Sequence, residues 1–399
     1  MASGCKPRVL LAHNFYQVPG GEDAVFSNEG RLLREEGHGV VEYTRHNDEV
    51  RGLAGRLELA RSLRWSRRTY EEVRSLIRRE SVDLVHCHNA FPLISPSIYD
   101  AARDEGVPVV QTVHNFRLLC PGATFYRDGE VCEECLSGGL GRAVRHGCYK
   151  GSRVYTEALA RAMEWHRAHR VYRGVHMVFL TEFNKTKHLK FVREQGCVAH
   201  VKPNFSFPVN LSESRRSNGR KLLFVGRLEE EKGIKLLLDF WKAQDSKCSY
   251  ELVILGSGSL ERAVADCQSF CSNVSFLGRL EHGCVLEQIA NSEALIFPSL
   301  WYEGFPMTIA ESFSLGVPVI SSDLGNHGQI VRESGGGACF SVSSSDSFWS
   351  CVDRVCSRRE EYAYRARKYF ETNLSKQSNL KMLDEIYNMI ASSRKGEYL

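Results

Sequence analysis

Between Ile296 and Asp323 the chain passes from a short apolar run through the polar loop Trp301-Tyr302-Glu303 into Gly304-Phe305-Pro306, then a helical pattern, then Val317-Pro318-Val319-Ile320. This reads as strand, loop, helix, strand, the unit from which a parallel sheet is assembled. Pro306 suits the first helical position, because the N–H it lacks would have no intrahelical acceptor there. Such a helix start offers N–H donors and a positive dipole end to an oxygen-rich ligand. Glu303 precedes it, and Glu311 lies roughly 7 Å along the axis from Pro306. Two carboxylates so spaced can address different parts of one elongated ligand, a geometry suited to a nucleotide sugar.

The same alternation recurs along the chain. Strand patterns run over Arg8–Ala12, Val40–Thr44, Asp83–His86, Val107–Val113 and Val175–Leu180, then over Leu252–Leu255 and Val274–Leu277, with the apolar opening of Lys221–Leu228 before them. Helical patterns lie between them, at 24–36, at Val154–Arg170 and after Thr181, whose hydroxyl can cap the helix that follows. Alternation of this kind predicts an α/β fold with parallel sheets covered on both faces and ligands outside the carboxyl ends of the strands. A chain of 399 residues is too long for one ordinary core, so two domains are expected. Their boundaries are read as 1–205, with a cysteine-containing insertion at 117–150, a polar aperiodic linker at 206–219, a second domain at 220–373 and a terminal helical segment at 374–399.

Glu303 and Glu311, with Gly304-Phe305-Pro306, Ala310 and Gly316-Val317-Pro318-Val319-Ile320 around them, resemble the Glu-x7-Glu signature of family 4 glycosyltransferases. Val225-Gly226-Arg227-Leu228, with Lys232-Gly233 after it, is similar to that family's Val-Gly-Arg-Leu-x3-Lys-Gly motif. The resemblance implies the GT-B fold, two Rossmann-like domains whose parallel sheets face an interdomain cleft, with the last helix crossing back to the first domain. It implies transfer of a sugar, with retention, from a nucleotide-sugar donor held mainly by the second domain to a glycan or lipid-linked acceptor held mainly by the first. Bacterial relatives of this kind usually build surface polysaccharides.

Residue by residue, the resemblance assigns Arg227 and Lys232 to the donor pyrophosphate and Glu311 to the ribose. Glu303, with the backbone of Gly304, Phe305, Pro306 and Met307, would orient the sugar. Gly20 and Gly21 resemble the donor-phosphate loop, where a glycine pair lets backbone approach a phosphate closely. His114, at the end of the Val107–Val113 strand, matches the histidine placed near the donor sugar. His114 and Glu303 are therefore the catalytic candidates. Cations at a departing pyrophosphate stabilise the charge that builds there. The chain has no Asp-x-Asp pair, so transfer is expected to need no metal cofactor. One departure stands out: Gly325-Asn326-His327-Gly328-Gln329 replaces the usual Gly-Gly-x-x-Glu.

Cys120, Cys132, Cys135 and Cys148 can supply four thiolates to a structural zinc, or each can serve as a buried thiol. No apolar run reaches membrane-span length, and Val9–Ala12 is far shorter than a signal-peptide core, so a cytoplasmic location is expected. Nine arginines against three glutamates give Arg51–Arg79 a net charge of +6, with Trp65, Leu57, Leu59 and Leu63 interleaved. That segment is either a peripheral contact for an anionic membrane surface or a solvated helix. Trp65 and Tyr70 are too few to form stacking platforms, which excludes a nucleic-acid partner. The remaining alternative to an enzyme is a non-catalytic GT-B protein that binds nucleotide sugar or glycan. It would be expected to lack some donor residues, and Arg227, Lys232, Glu303 and Glu311 are all present.

Overall fold

The computed structural model describes residues 6–17, 20–52, 55, 59, 62–207, 220–244 and 249–396. The linker from residue 208 onward and Leu57 lie outside the described residues. The chain divides into two compact units. The first holds residues up to Thr124, Glu133–Asn204 and the chain from Asn379; the second holds Phe125–Cys132 and Phe205–Ser378.

The strands are β1 (Val9–Phe15), β2 (Val40–His46), β3 (Leu84–Asn89), β4 (Val109–Val113), the short pair β5 (Tyr126–Arg127) and β6 (Glu130–Val131), then β7 (His176–Phe179) and β8 (Val198–Val201). In the first unit a parallel sheet has the order β2-β1-β3-β4-β7-β8. Val9, Leu11, Leu84, Val110 and Val178 point to one face, where Phe26 and Leu33 of the helix Gly21–Glu35 cover them. Leu383, Ile386, Tyr387 and Ile390 of the helix Lys376–Gly396 complete that core. The Thr181 hydroxyl accepts from the Asn184 amide and caps Glu182–Gln195.

The second unit repeats the plan with β9 (Lys221–Val225), β10 (Glu251–Leu255), β11 (Val274–Gly278), β12 (Ala294–Phe297), β13 (Val319–Ser322) and β14 (Gly337–Phe340). These form a parallel sheet in the order β11-β10-β9-β12-β13-β14. Alternate residues divide between two buried clusters: Leu222, Phe224, Leu252, Ile254 and Ile296 on one face, Leu223, Val253, Leu255, Leu295 and Phe297 on the other. Strands buried on both faces read as continuous apolar runs, and these do.

Two local readings are corrected. Pro306 is not the first helical residue but the extended cap before the helix Met307–Ser314. Within the insertion, residues 125–132 belong to the second unit. There β5 and β6 form an antiparallel hairpin across Asp128-Gly129, both with positive φ, the pairing a tight two-residue turn requires.

Candidate functional site

In the second unit the proposed donor residues gather at the carboxyl ends of β9 and β12. Arg227 and Lys232 follow β9, and Lys232 closes the one-turn helix Glu230–Lys232. Gly233 lets this turn pack on the loop after β12: it has a φ of +71°, and a Cβ there would sit 1.9 Å from the Pro298 carbonyl oxygen. The Leu300 amide donates to the Glu231 carbonyl and fastens the two loops together.

Glu303 is the centre of this arrangement. Its Oε1 accepts from Lys232 Nζ, Ser299 Oγ and Trp301 Nε1, each at 2.7 Å. Burial would raise its pKa, but the Lys232 charge and hydrogen bond, with the Ser299 bond, outweigh it and hold the carboxyl below its ordinary value. None of the three donors reaches Oε2. The Lys232 ammonium also lies 5.2 Å from the centre of the Trp301 ring. Asn326 donates to the Glu303 carbonyl, so the departure at Gly325–Gln329 supplies an amide that steadies the Glu303 loop. Behind it His327 is buried and bonded to Ser322 Oγ at 2.9 Å; burial lowers its pKa to about 4 and keeps it neutral.

Arg227 is exposed and pairs with Glu231 at 2.8 Å. Glu311, on the helix Met307–Ser314, accepts from His282 Nε2 at 2.9 Å, a partner that the motif gave no reason to expect. The carboxylate in turn raises the His282 pKa.

In the first unit Gly20 caps the helix Gly21–Glu35, and its amide donates to Asp23 Oδ2 at 2.7 Å. That N–H is thus engaged within the loop. What the pair offers a ligand is open space, since a Cβ on Gly20 or Gly21 would meet nothing within 4 Å. Asp23 Oδ1 also bonds His13 Nε2 at 2.7 Å. The neighbouring Glu22 accepts from Asn115 at 2.7 Å and Tyr16 at 2.9 Å, and burial raises its pKa.

His114 follows β4 and lines a cavity of about 100 Å³ together with Tyr16, His88, Phe91, Tyr99 and Arg117. Its Nε2 lies 3.1 Å from His88 Nδ1. Behind His88 are Glu29, His86 and Lys202, all fully buried, a network that sequence reasoning missed. The available signal was His86-x-His88, which alternation places on one face of a strand.

The cysteines are partly accounted for. Gly122 lies between Cys120 and Cys148, and a Cβ there would be 3.6 Å from Cys120 Sγ and 3.7 Å from Cys148 Cβ. Cys135 sits on the helix Glu134–Gly138 and packs on Leu140, Leu159 and Met163. Cys132 groups with the second unit, where its amide donates to the Phe125 carbonyl.

The arginines of the basic segment are largely paired among the described residues, while Arg56 and Arg61 lie outside them. Arg67 and Arg68 bond Glu71 and Glu72, while Arg74 and Arg78 both bond Glu105. Trp65 donates to Asp100 at 2.9 Å and packs on Tyr70, while Leu63 packs on a buried cluster. No helix among the described residues is long and apolar enough to cross a membrane.

Two family descriptions match the chain: Glycosyltransferase Family 4 over residues 19–179 and Glycosyl transferases group 1 over residues 211–371. An uncharacterized glycosyltransferase of Methanocaldococcus jannaschii is 25% identical over 294 residues, covering 70% of this chain and 67% of its own length. A lipopolysaccharide 1,6-galactosyltransferase of Salmonella typhimurium is 30% identical over 153 residues, 36% of this chain and 41% of its own. Anabaena HepE, solved in complex with UDP and glucose, superposes with a TM-score of 0.63 at 15% identity, covering 97% of this chain and all of that one. That likeness extends to the fold alone, GT-B. The motifs around Arg227, Lys232, Glu303 and Glu311 and the matches to both halves lead to one conclusion: the chain belongs to glycosyltransferase family 4.

Proposed function

We propose that the protein transfers a sugar, with retention, from a nucleotide-sugar donor to a glycan or lipid-linked acceptor in polysaccharide biosynthesis, without a metal in the transfer step. The observation that carries this reading is the Glu303 carboxylate: three donors converge on Oε1 and none of them reaches Oε2, beside the ammonium of Lys232. A carboxylate so held is a fixed acceptor for a sugar hydroxyl, and the adjacent cation suits a pyrophosphate oxygen. Arg227 would be the second cation on the pyrophosphate, and Glu311 the acceptor for ribose hydroxyls. The backbone of Gly304, Phe305, Pro306 and Met307 would meet the sugar, and Gly20-Gly21 would give its phosphate room. His114 would contact a hydroxyl of the transferred sugar.

A relative that is a lipopolysaccharide 1,6-galactosyltransferase supports the glycan or lipid-linked acceptor, and a structural neighbour solved with UDP and glucose supports the nucleotide-sugar donor. We place the reaction in the cytoplasm. Attachment to an anionic membrane surface would use the +6 segment, where exposed Arg64 lies over Trp165 rather than against a carboxylate. Cys120, Cys132, Cys135 and Cys148 would hold a structural zinc that orders the insertion and takes no part in transfer.

A thermal-shift screen against UDP-, GDP- and ADP-sugars tests the donor. At 100 times its dissociation constant a ligand stabilises by about 2.7 kcal/mol. One nucleotide series should raise the midpoint; no response to any of the three would overturn the donor assignment.

A further inference from the structure

We propose that Glu29 and His88 are positioning residues that hold His114 in its Nε2–H form, so that its Nδ1 presents a lone pair and accepts a hydrogen bond from a sugar hydroxyl. The proposal rests on the reading of His114 given above and adds the reason that this histidine acts as an acceptor.

The direction of the chain follows from its buried end. Glu29 Oε2 lies 2.9 Å from the Lys202 ammonium, and Oε1 lies 3.0 Å from His86 Nδ1 and 3.1 Å from His88 Nε2. Although burial favours the neutral acid, the Lys202 charge and the hydrogen bond from His86 hold the Glu29 carboxyl well below its ordinary value. An ionised carboxylate only accepts, so His88 Nε2 must carry the proton. His88 is itself neutral, its pKa lowered to about 4 by burial, and a neutral imidazole has one N–H. Its Nδ1 is therefore a bare acceptor, 3.1 Å from His114 Nε2, and His114 must donate. Burial also keeps His114 neutral, so the lone pair falls on Nδ1. Nδ1 has no partner among the described residues, and His114 lines the cavity.

The surroundings lock this order. His86 Nε2 bonds Thr112 Oγ1 at 2.8 Å and His86 Nδ1 lies 2.8 Å from Tyr387 Oη, so the second histidine on Glu29 is held independently. Asn379 binds both Lys202 Nζ and the Pro203 carbonyl, which fixes the ammonium. Glu29, His86 and His88 offer ligand atoms within 4.8 Å of one another, but the Lys202 ammonium already balances the carboxylate, so we read the group as an ion pair and not as a metal site. A neutral histidine of low basicity orients a hydroxyl; it does not remove its proton.

Nitrogen-15 spectra of the imidazoles in the full-length protein, with the His114 signals assigned from a His114→Ala control, test this without substrate. The expected wild-type signature is a pyridine-type Nδ1 and a pyrrole-type Nε2 on His114; the reverse overturns the proposal. His88→Leu should abolish the single tautomer and lower kcat by about tenfold while donor binding stays unchanged, the effect of one lost hydrogen bond. His88→Asn, whose amide oxygen can replace Nδ1 as acceptor, should restore the signature and most of the rate. An unaltered tautomer in His88→Leu overturns the proposal. A correct wild-type tautomer with full turnover in His114→Ala would instead contradict only the assignment of His114 to the sugar.

Discussion

Arg227 and Lys232 are assigned to the same pyrophosphate, yet replacing them by alanine should have different consequences for the fold. The Arg227 side chain is 60% exposed and its ion pair with Glu231 lies in solvent, so Arg227→Ala should cost less than about 1 kcal/mol of stability. The Lys232 side chain is 19% exposed and its partner Glu303 only 9%, so Lys232→Ala leaves a buried carboxylate with two neutral donors. Breaking such a pair costs about 3–5 kcal/mol, which for a unit of this size lowers the unfolding midpoint by roughly 6–20 °C. Both variants should lose donor affinity, Arg227→Ala by about tenfold to a hundredfold, since a hydrogen bond to a charged group is worth about 1.5–3 kcal/mol. Scanning calorimetry and donor titration on the same preparations give both numbers. The Lys232 effect has a pH signature as well. The Glu303 carboxyl is held below its ordinary value in the fold, so the stability that Lys232 supplies is present above the unfolded pKa of about 4.3 and is lost as pH falls through the folded one. The gap between wild type and Lys232→Ala should therefore close in acid. Equal midpoints for the two variants at neutral pH would refute the view of Glu303 as a carboxylate sustained by Lys232.

Three further outcomes are expected. His114→Ala should lower kcat about a hundredfold with little change in nucleotide affinity, measured with a defined acceptor, and unchanged kinetics would remove His114 from the site. Metal analysis of protein purified without a histidine tag should find one zinc per chain, lost on joint replacement of Cys132 and Cys135 by serine; a content near zero in freshly reduced protein rules the zinc out. Co-sedimentation with vesicles should require anionic lipid, weaken with salt and diminish in an Arg64→Glu, Arg67→Glu, Arg68→Glu variant, and equal recovery with neutral vesicles would exclude attachment through this segment.

What could be read from the chain before its fold was the part written in local pattern. The central strands of both sheets announce themselves as apolar runs because both of their faces are buried, and in the second unit the loops at their carboxyl ends carry Arg227, Lys232 and Glu303 in order. β8 and β14 escaped notice: each is a four-residue edge strand, the first polar at His200, the second opened by Gly337. The β5–β6 turn had its signal in Asp128-Gly129, but nothing local says that the hairpin joins the second unit. The Glu29 network was the least legible, because it joins a helix, two strands, the residue after β8 and the last helix. Likewise Asn326 supports Glu303 through a carbonyl across 23 residues, a contact that no motif spacing encodes.

The central claim is that this fold moves a sugar from a nucleotide to an acceptor, and direct measurement of that transfer tests it best. Purified protein incubated with the nucleotide sugar that stabilises it and a lipid-linked or glycan acceptor should release the nucleoside diphosphate and yield a product in which the sugar keeps its anomeric configuration. The reaction should continue in EDTA, and Glu303→Gln should abolish most of it, since the amide cannot reproduce the carboxylate that binds Lys232. Release of nucleoside diphosphate at the same rate from Glu303→Gln as from wild type would contradict the account.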